Sequence, residues 1–403
     1  MTHERDSQYF IDLEERYGAH HYHPLNVVIT EGHGVWVTDV EGNRYMDMLS
    51  AYSALNQGHL HPKIVAAAHR QLDNLTLTSR AFRNDQLGPF LEKLSGITHK
   101  DLILPMNSGA EAVETALKVA RKWGYESKKV PKNKAGRIIV CAGNFHGRTI
   151  SIIGFSTEAQ YRDGFGPFTP GFDIIPYGDA WALRRAITPN TVGFLVEPIQ
   201  GEGGVIVPPE GYLREASEIC QKNNVLFMAD EIQTGLGRTG KMFACDHEGV
   251  IPDIYILGKA LSGGVLPVSA IAANKDILGV IKPGDHGSTF GGSPLASAVA
   301  SAALDVIVEE KLPENAAKMG EYFMDRLAEM NSPYIKEIRG KGLLIGVELK
   351  PKAGNARGFC ESLQHRGILA KETHDKVVRF APPLIITRDE VDWAMERIEQ
   401  VFK

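Results

Sequence analysis

The chain has 403 residues, roughly two to three ordinary domains' worth, so it can bury a large core and is expected to form more than one lobe. With 43% hydrophobic and 23% charged residues and a net charge of -5, it has no basic excess to attract nucleic acid. No run approaches the roughly 20 apolar residues of a membrane span, and MTHERDSQYF is too polar for a signal peptide, so a cytoplasmic location without a membrane partner is expected.

A helix is predicted over Gln8–Tyr17, followed by an antiparallel pair in VWVTDVEGNRYMDM, which alternates apolar and polar residues around Glu41, Gly42 and Asn43. The histidines of HHYHP and GHLHP (His20, His21, His23, His59, His61) are crowded, but no cysteine or acidic cluster completes a ligand set, so no metal site is expected. Cys141, Cys220, Cys245 and Cys360 are too scattered for a disulfide framework and read as reduced, buried thiols.

From Pro62 to Ala303, apolar runs alternate with helical stretches, the pattern of parallel strands joined by crossover helices. The expected division is therefore an N-terminal segment of a small lobe (1–61), a large domain (62–303) and a C-terminal small domain (304–403). Within the large domain NSGAEAVETALKVARKW is a small-residue turn entering a helix. Its first turn would offer free N–H groups to a phosphate, although Ser108 and Glu111 would equally form a capping box. The basic stretch KKVPKNK (Lys128–Lys134) reads as a solvated connection.

Polar residues stand at the ends of the buried strands. RIIVCAG runs into NFHGRT, VGFLV into Glu197 and GEGG, VLFMA into Asp230, and IYIL into Gly258 and Lys259. Loops at the carboxyl ends of parallel strands converge on one crevice, which would gather His146, Arg148, Glu202, Asp230, Gln233 and Lys259. Gly235, Gly237 and Gly240 spell GxGxxG, but DEIQT separates them from the strand and no helix follows directly, so dinucleotide binding is not expected.

The tail reads as a helix (Asn315–Met330), a strand (Leu343–Leu349), a helix (Gly358–His365), a strand (Val377–Phe380) and a last helix. That helix opens with Thr387 and Glu390 at capping-box spacing and has one apolar face.

Asp230 and Lys259 suit one chemistry together. A lysine of lowered pKa forms an imine with an aldehyde, and a carboxylate against a pyridine nitrogen keeps that ring protonated as an electron sink. Pyridoxal phosphate needs both groups and a phosphate cradle.

The segments NSGAEAVETALKVAR, FHGRT, EPIQGEGG, ADEIQTGLGRTG, GKALSGG and HGSTFGGSPL, in that order, resemble the class III (omega) aminotransferases of pyridoxal-phosphate fold type I. That resemblance covers nearly the whole chain. It implies an α/β fold with a large, mostly parallel sheet flanked by helices, and a smaller α+β lobe built from both chain ends. Within the family YGAHHYHPL, YMDMLSAYSALNQGHLHPKI, LTLTSRAF and VVRFAPPL resemble the branch acting on ornithine rather than those acting on acetylornithine or 4-aminobutyrate. A non-catalytic protein on the same scaffold is the remote alternative.

By resemblance, Lys259 carries the cofactor as an imine, Asp230 pairs with the pyridine nitrogen, Gln233 reaches the ring hydroxyl, Phe145 stacks on the ring and His146 lies beside it. Ser108, Gly109 and Ala110 would hold the phosphate, with Thr289 contributed by the second subunit of a homodimer. Tyr22, Tyr52 and Arg148 would hold the amino donor. Arg379 would take the carboxylate of the 2-oxo acid, with Glu202 masking it when the donor is bound. The resemblance further implies δ-amino transfer from ornithine to 2-oxoglutarate by a ping-pong sequence.

Overall fold

A computed structural model describes residues 6–134 and 136–403 of the chain. Among these residues the first strands are β1 (Ile29–His33), β2 (Trp36–Asp39) and β3 (Arg44–Asp47). The central set is β4 (Leu102–Met106), β5 (Arg137–Cys141), β6 (Phe172–Ile175), β7 (Thr191–Val196), β8 (Leu226–Asp230), β9 (Ile254–Leu257) and β10 (Ser269–Ala273). The last are β11 (Ile335–Lys341), β12 (Leu344–Leu349), β13 (Ile368–Leu369), β14 (Lys371–Thr373) and β15 (Val377–Phe380).

The central strands form one sheet in the order β4-β10-β9-β8-β7-β5-β6. Pairings from β6 through β5, β7 and β8 to β9 are parallel, and β10 runs antiparallel to both β9 and β4. Every residue of β7, β8 and β9 is buried, as expected of strands covered on both faces. Successive residues point to opposite sides. Leu195 and Met228 join the cluster under the Gly109–Glu126 helix, whereas Phe194, Val196, Phe227 and Ala229 join the cluster under the Tyr212–Lys222 helix. Burying each of these side chains larger than alanine contributes about 1.5–3 kcal/mol. Gly124 lets the first of these helices approach closely, since a Cβ there would sit 2.2 Å from Val192 Cγ1.

The chain ends build two smaller sheets. One has the order β1-β2-β3-β13, with β13 parallel to β3, so that Ile368 and Leu369 pair with Met46 and Asp47. The other, β11-β12-β15-β14, is antiparallel and carries Arg379 on β15. Residues from both chain ends therefore share one sheet beside the central one. The last helix (Arg388–Phe402) begins with the Thr387–Glu390 capping box and buries Val391, Ala394, Met395, Ile398 and Phe402.

Several expectations are refined. The first helix is Ser7–Tyr17, the helix in the tail is Leu312–Glu329, and the next is Ala356–Gln364. β11 was not foreseen, because charged residues in IKEIRGK obscure the alternation of a strand. Lys128 departs from the solvated connection: its ammonium donates to the carbonyls of Thr191 (2.6 Å) and Asn223 (3.2 Å), while Lys129, Lys132 and Lys134 are exposed. His59 pairs with Asp47 at 2.8 Å and His61 with Glu310 at 3.2 Å, so both serve local ion pairs. All four cysteines are free and buried. Among the described residues no helix is long and apolar enough to cross a membrane.

Candidate active site

The carboxyl ends of β5, β7, β8 and β9 converge as the strand pattern requires. Their loops enclose a cavity of about 140 Å³ lined by Gly109, Ala110, Phe145, His146, Glu197, Asp230, Gln233 and Lys259, among others. Gly109 and Lys259 also line a second cavity of about 380 Å³ that includes Asn107 and Ser108.

Lys259 follows β9 and Gly258 and opens a short 3-10 turn with φ of 44°, a left-handed conformation unusual for a side-chain-bearing residue. Its ammonium has no hydrogen-bond or ion-pair partner among the described residues. Burial lowers its pKa against the pull of Glu202, with Arg379 adding to the depression.

Asp230 closes β8 at the cavity wall. Its Oδ2 accepts a 2.6 Å hydrogen bond from His146 Nδ1, and its Oδ1 accepts the Ile232 N–H at 3.1 Å. Burial disfavours charge on His146, but the bond to Asp230 and its charge outweigh that, and the His146 pKa is raised. The imidazole thus keeps a donor on the carboxylate and holds its orientation.

Glu197, at the end of β7, is a site residue to which sequence reasoning gave no role. Its Oε1 accepts the Phe145 N–H at 2.8 Å and its Oε2 accepts the Gly201 N–H at 3.4 Å, tying two strand-end loops together. Burial pushes its carboxyl up to about 7, with His146 opposing and Asp230 reinforcing.

At the Gly109–Glu126 helix start both sequence readings coexist. Ser108 Oγ accepts the Glu111 N–H at 3.2 Å and the Glu111 carboxylate accepts the Ser108 N–H at 2.7 Å, a complete capping box. Among the described residues the box leaves the N–H groups of Gly109 and Ala110 without an acceptor, and both residues line the cavity.

A second group of polar residues lies beside Lys259. Arg379, 1% exposed, donates from Nη1 to Glu202 Oε1 at 2.7 Å and to Gln233 Oε1 at 3.4 Å, and Gln233 Nε2 donates to the same Glu202 oxygen at 3.1 Å. Nε and Nη2 of Arg379 are buried without acceptors among the described residues, leaving the side-on fork of the guanidinium free. Burial alone would raise the Glu202 carboxyl, but Arg379 and then Lys259 hold it down at about 2. Gly201 makes room for this group, because a Cβ there would lie 1.8 Å from Gln233 Oε1.

The Tyr52 ring sits 5.0 Å under the Arg379 guanidinium. It is carried by a turn in which Ser50, Ala51, Tyr52 and Ser53 all have positive φ, between 47° and 72°. Left-handed backbone costs about 1–2 kcal/mol per residue that carries a Cβ, so this turn is held by its surroundings.

Arg148 is exposed and stacks 3.6 Å over the Tyr161 ring and 5.6 Å from that of Phe145, without an ion-pair partner among the described residues. Tyr161 was not singled out from sequence. Tyr22 is 72% exposed and contributes to the electrostatic surroundings of both Tyr52 and Tyr161. Thr289 is exposed and lines neither cavity of its own chain.

The aminotransferase class-III family model matches residues 17–402. The chain belongs to the class-III aminotransferases. An ornithine aminotransferase from Geobacillus sp. (strain WCH70) is 64% identical over 392 residues, covering 97% of this chain and 98% of that one. Among solved structures, the ornithine aminotransferase from Toxoplasma gondii matches with a TM-score of 0.97 at 48% identity, covering 99% of this chain and 95% of that one, and is described with partial occupancy of PLP at its active site. An acetylornithine aminotransferase from Elizabethkingia anophelis matches with a TM-score of 0.90 at 51% identity, covering 98% of this chain and 99% of that one.

Class-III aminotransferases are pyridoxal-phosphate enzymes, and the residues of this cavity fit that cofactor. An unpartnered lysine faces the demand for an amine, the free N–H groups of Gly109 and Ala110 that for a phosphate cradle, and Asp230 that for a carboxylate beside the ring nitrogen. The GxGxxG glycines instead serve close packing: a Cβ on Gly240 would lie 3.0 Å from Ala317 Cα.

Proposed function

We propose that this class-III aminotransferase moves the δ-amino group of L-ornithine to 2-oxoglutarate, giving glutamate 5-semialdehyde and glutamate in two half-reactions at one site. The observation that carries the reading is the Glu202–Arg379 pair at 2.7 Å, with the free side of the guanidinium left for a carboxylate.

Lys259 would bind the cofactor, Asp230 would serve its ring nitrogen with His146 fixing the carboxylate, and Phe145 would cover the ring. Gln233, whose amide otherwise bonds Glu202 and Arg379, would reach the ring hydroxyl, and Ser108, Gly109 and Ala110 would hold the phosphate. When bound, the cofactor supplies an aldehyde that condenses with amines and a protonated ring that withdraws electrons from the bond being broken. Lys259, whose amine has no other partner among the described residues, would be the base that takes the proton from the amine-bearing carbon.

Ornithine must present its distal amine while its α-groups are held away. Arg148 has a free guanidinium for the α-carboxylate, and Tyr22 takes the α-amino group while Tyr52 shapes the pocket. Arg379 would attract ornithine the wrong way round were its charge not neutralised by Glu202. The incoming 2-oxoglutarate carboxylate takes the free fork, and Glu202, no longer needed to neutralise the cation, releases Nη1.

The Elizabethkingia neighbour keeps N-acetylornithine as a second reading, since acetylation removes the α-ammonium without altering the carboxylate for Arg148. We propose further that the enzyme is a cytoplasmic homodimer in which Thr289 of each protomer reaches the phosphate of the other, and that 62–303 form the large domain, with 1–61 and 304–403 contributing to the small lobe. Thr289's exposure, beside Phe290 at 57% exposure, supports that contact.

The two half-reactions can be separated. Ornithine alone should bleach the cofactor's yellow absorbance in one turnover, and 2-oxoglutarate added afterwards should restore it. A requirement for both substrates before any spectral change would refute the two-step scheme.

A further inference from the structure

Arg238 is the largest wholly buried cation of the fold that makes no ion pair among the described residues: no carboxylate oxygen lies within ion-pair distance of it. Its Nη1 donates to the carbonyls of Leu343 (2.9 Å) and Pro382 (2.6 Å), and its Nη2 to Asn56 Oδ1 (2.7 Å) and Ser50 Oγ (3.4 Å). These acceptors come from three separate parts of the chain.

One part is the turn that carries Tyr52. Ser50 begins it, and its hydroxyl donates onward to the Ala381 carbonyl at 2.5 Å. Asp47 Oδ1 accepts the Leu49 and Ser50 N–H groups at 2.8 and 2.9 Å, fixing the entry to the turn. Another part is the exit of β15, where Ala381 and Pro382 follow Arg379 closely in sequence. The third is Leu343, leading into β12, the strand on which β15 is paired. One guanidinium thus spans the supports of both Tyr52 and Arg379.

We infer that Arg238 is a positioning residue, whose hydrogen bonds hold the left-handed Ser50–Ser53 turn against the end of β15 and so set Tyr52 under Arg379 in the substrate pocket. This rests on the reading of Tyr52 and Arg379 as substrate groups.

The chemistry explains why arginine stands there. Stability alone is served as well by an apolar side chain, because a buried charge forfeits its hydration. Burial pushes the Arg238 pKa down to about 9, with Asp47 opposing, so the group remains charged at neutral pH. What a planar guanidinium adds is several donors in fixed directions, able to grip four acceptors at once. The Ser50–Ser53 turn has no glycine to relieve its backbone, so it depends on being gripped.

The test compares Arg238→Lys with the wild-type holoenzyme. We expect KM for both the amino donor and 2-oxoglutarate to rise about tenfold or more through misplaced substrate groups, with the cofactor absorbance and its borohydride fixation to Lys259 unchanged. Ala51→Gly added to that variant should recover much of the loss, because glycine adopts the left-handed backbone freely. Unchanged KM values with only a lower melting temperature, or no recovery by Ala51→Gly, would overturn the inference. Should Arg238→Lys not accumulate folded, Ser50→Ala, which removes the hydroxyl shared by Arg238 and Ala381, is read by the same KM criterion. The amino donor is whichever one the wild type turns over, so failure of ornithine as donor would refute the proposed function and leave the Arg238 test standing.

Discussion

Glu202 Oε1 accepts Arg379 Nη1 at 2.7 Å, the bond on which substrate choice turns in the proposed reaction. Glu202 is held at about 2 from an ordinary 4.5, so it is ionised throughout the neutral range and neutralises the Arg379 cation beside it. Breaking a buried pair by removing one partner costs about 3–5 kcal/mol. Glu202→Ala should therefore strongly shift the δ/α preference toward reaction at the α-amino group. Product analysis with ornithine reads it directly, and an unchanged preference would sink the gating role.

The same pair sets an acid limit. Because the folded pKa lies below the unfolded one, its contribution to stability is complete above about pH 4.5 and fades as pH falls toward about 2. Melting curves of wild type and Glu202→Gln should thus converge at acid pH and differ by a constant amount from pH 5 upward.

Lys259→Ala should lose the borohydride-fixable yellow absorbance and lower kcat by at least about 10²–10⁴-fold, the range of general acid–base catalysis. A variant that keeps the fixable chromophore would place the imine elsewhere.

Glu197 gives the opposite pH signature to Glu202. Its folded pKa of about 7 exceeds the ordinary 4.5, so its ionisation penalises the fold increasingly between those values. Relative to wild type, the melting temperature of Glu197→Gln should therefore rise from pH 5 to pH 8. A flat difference across that range would show that the carboxyl titrates normally.

Arg148 depends on shape as well as charge, being stacked 3.6 Å over Tyr161. Arg148→Lys keeps the charge but loses the stacking and the bidentate fork. KM for ornithine should rise by about tenfold, the equivalent of 1.4 kcal/mol, with kcat changed much less. Steady-state kinetics that show the reverse split would remove Arg148 from substrate binding.

The strand ends were the most legible feature, because apolar runs that stop at Asp230 or shortly before His146 and Lys259 follow from burial on both faces of a parallel sheet. Glu197 stood in the same position and was passed over, since a carboxylate that accepts two backbone N–H groups leaves no motif. The Ser108–Glu111 spacing spelled out a capping box, but not that the box leaves Gly109 and Ala110 free. Two features had no local signal. The left-handed Ser50–Ser53 turn contains no glycine, and the contacts of Arg238 join residues more than a hundred positions apart in sequence. Tertiary support made both possible, and a single sequence does not display it.

Ornithine, N-acetylornithine and 4-aminobutyrate, each offered with 2-oxoglutarate and followed by trapping of a cyclised pyrroline, distinguish the possible donors. Only the semialdehyde from ornithine has a free α-amino group placed to close that ring. 1-Pyrroline-5-carboxylate from ornithine, with little turnover of the other two, is the predicted result. Faster turnover of N-acetylornithine or 4-aminobutyrate would contradict ornithine as the donor, and 1-pyrroline-2-carboxylate, the ring closed after loss of the α-amino group, in place of 1-pyrroline-5-carboxylate would contradict δ-specific transfer by the Glu202–Arg379 gate.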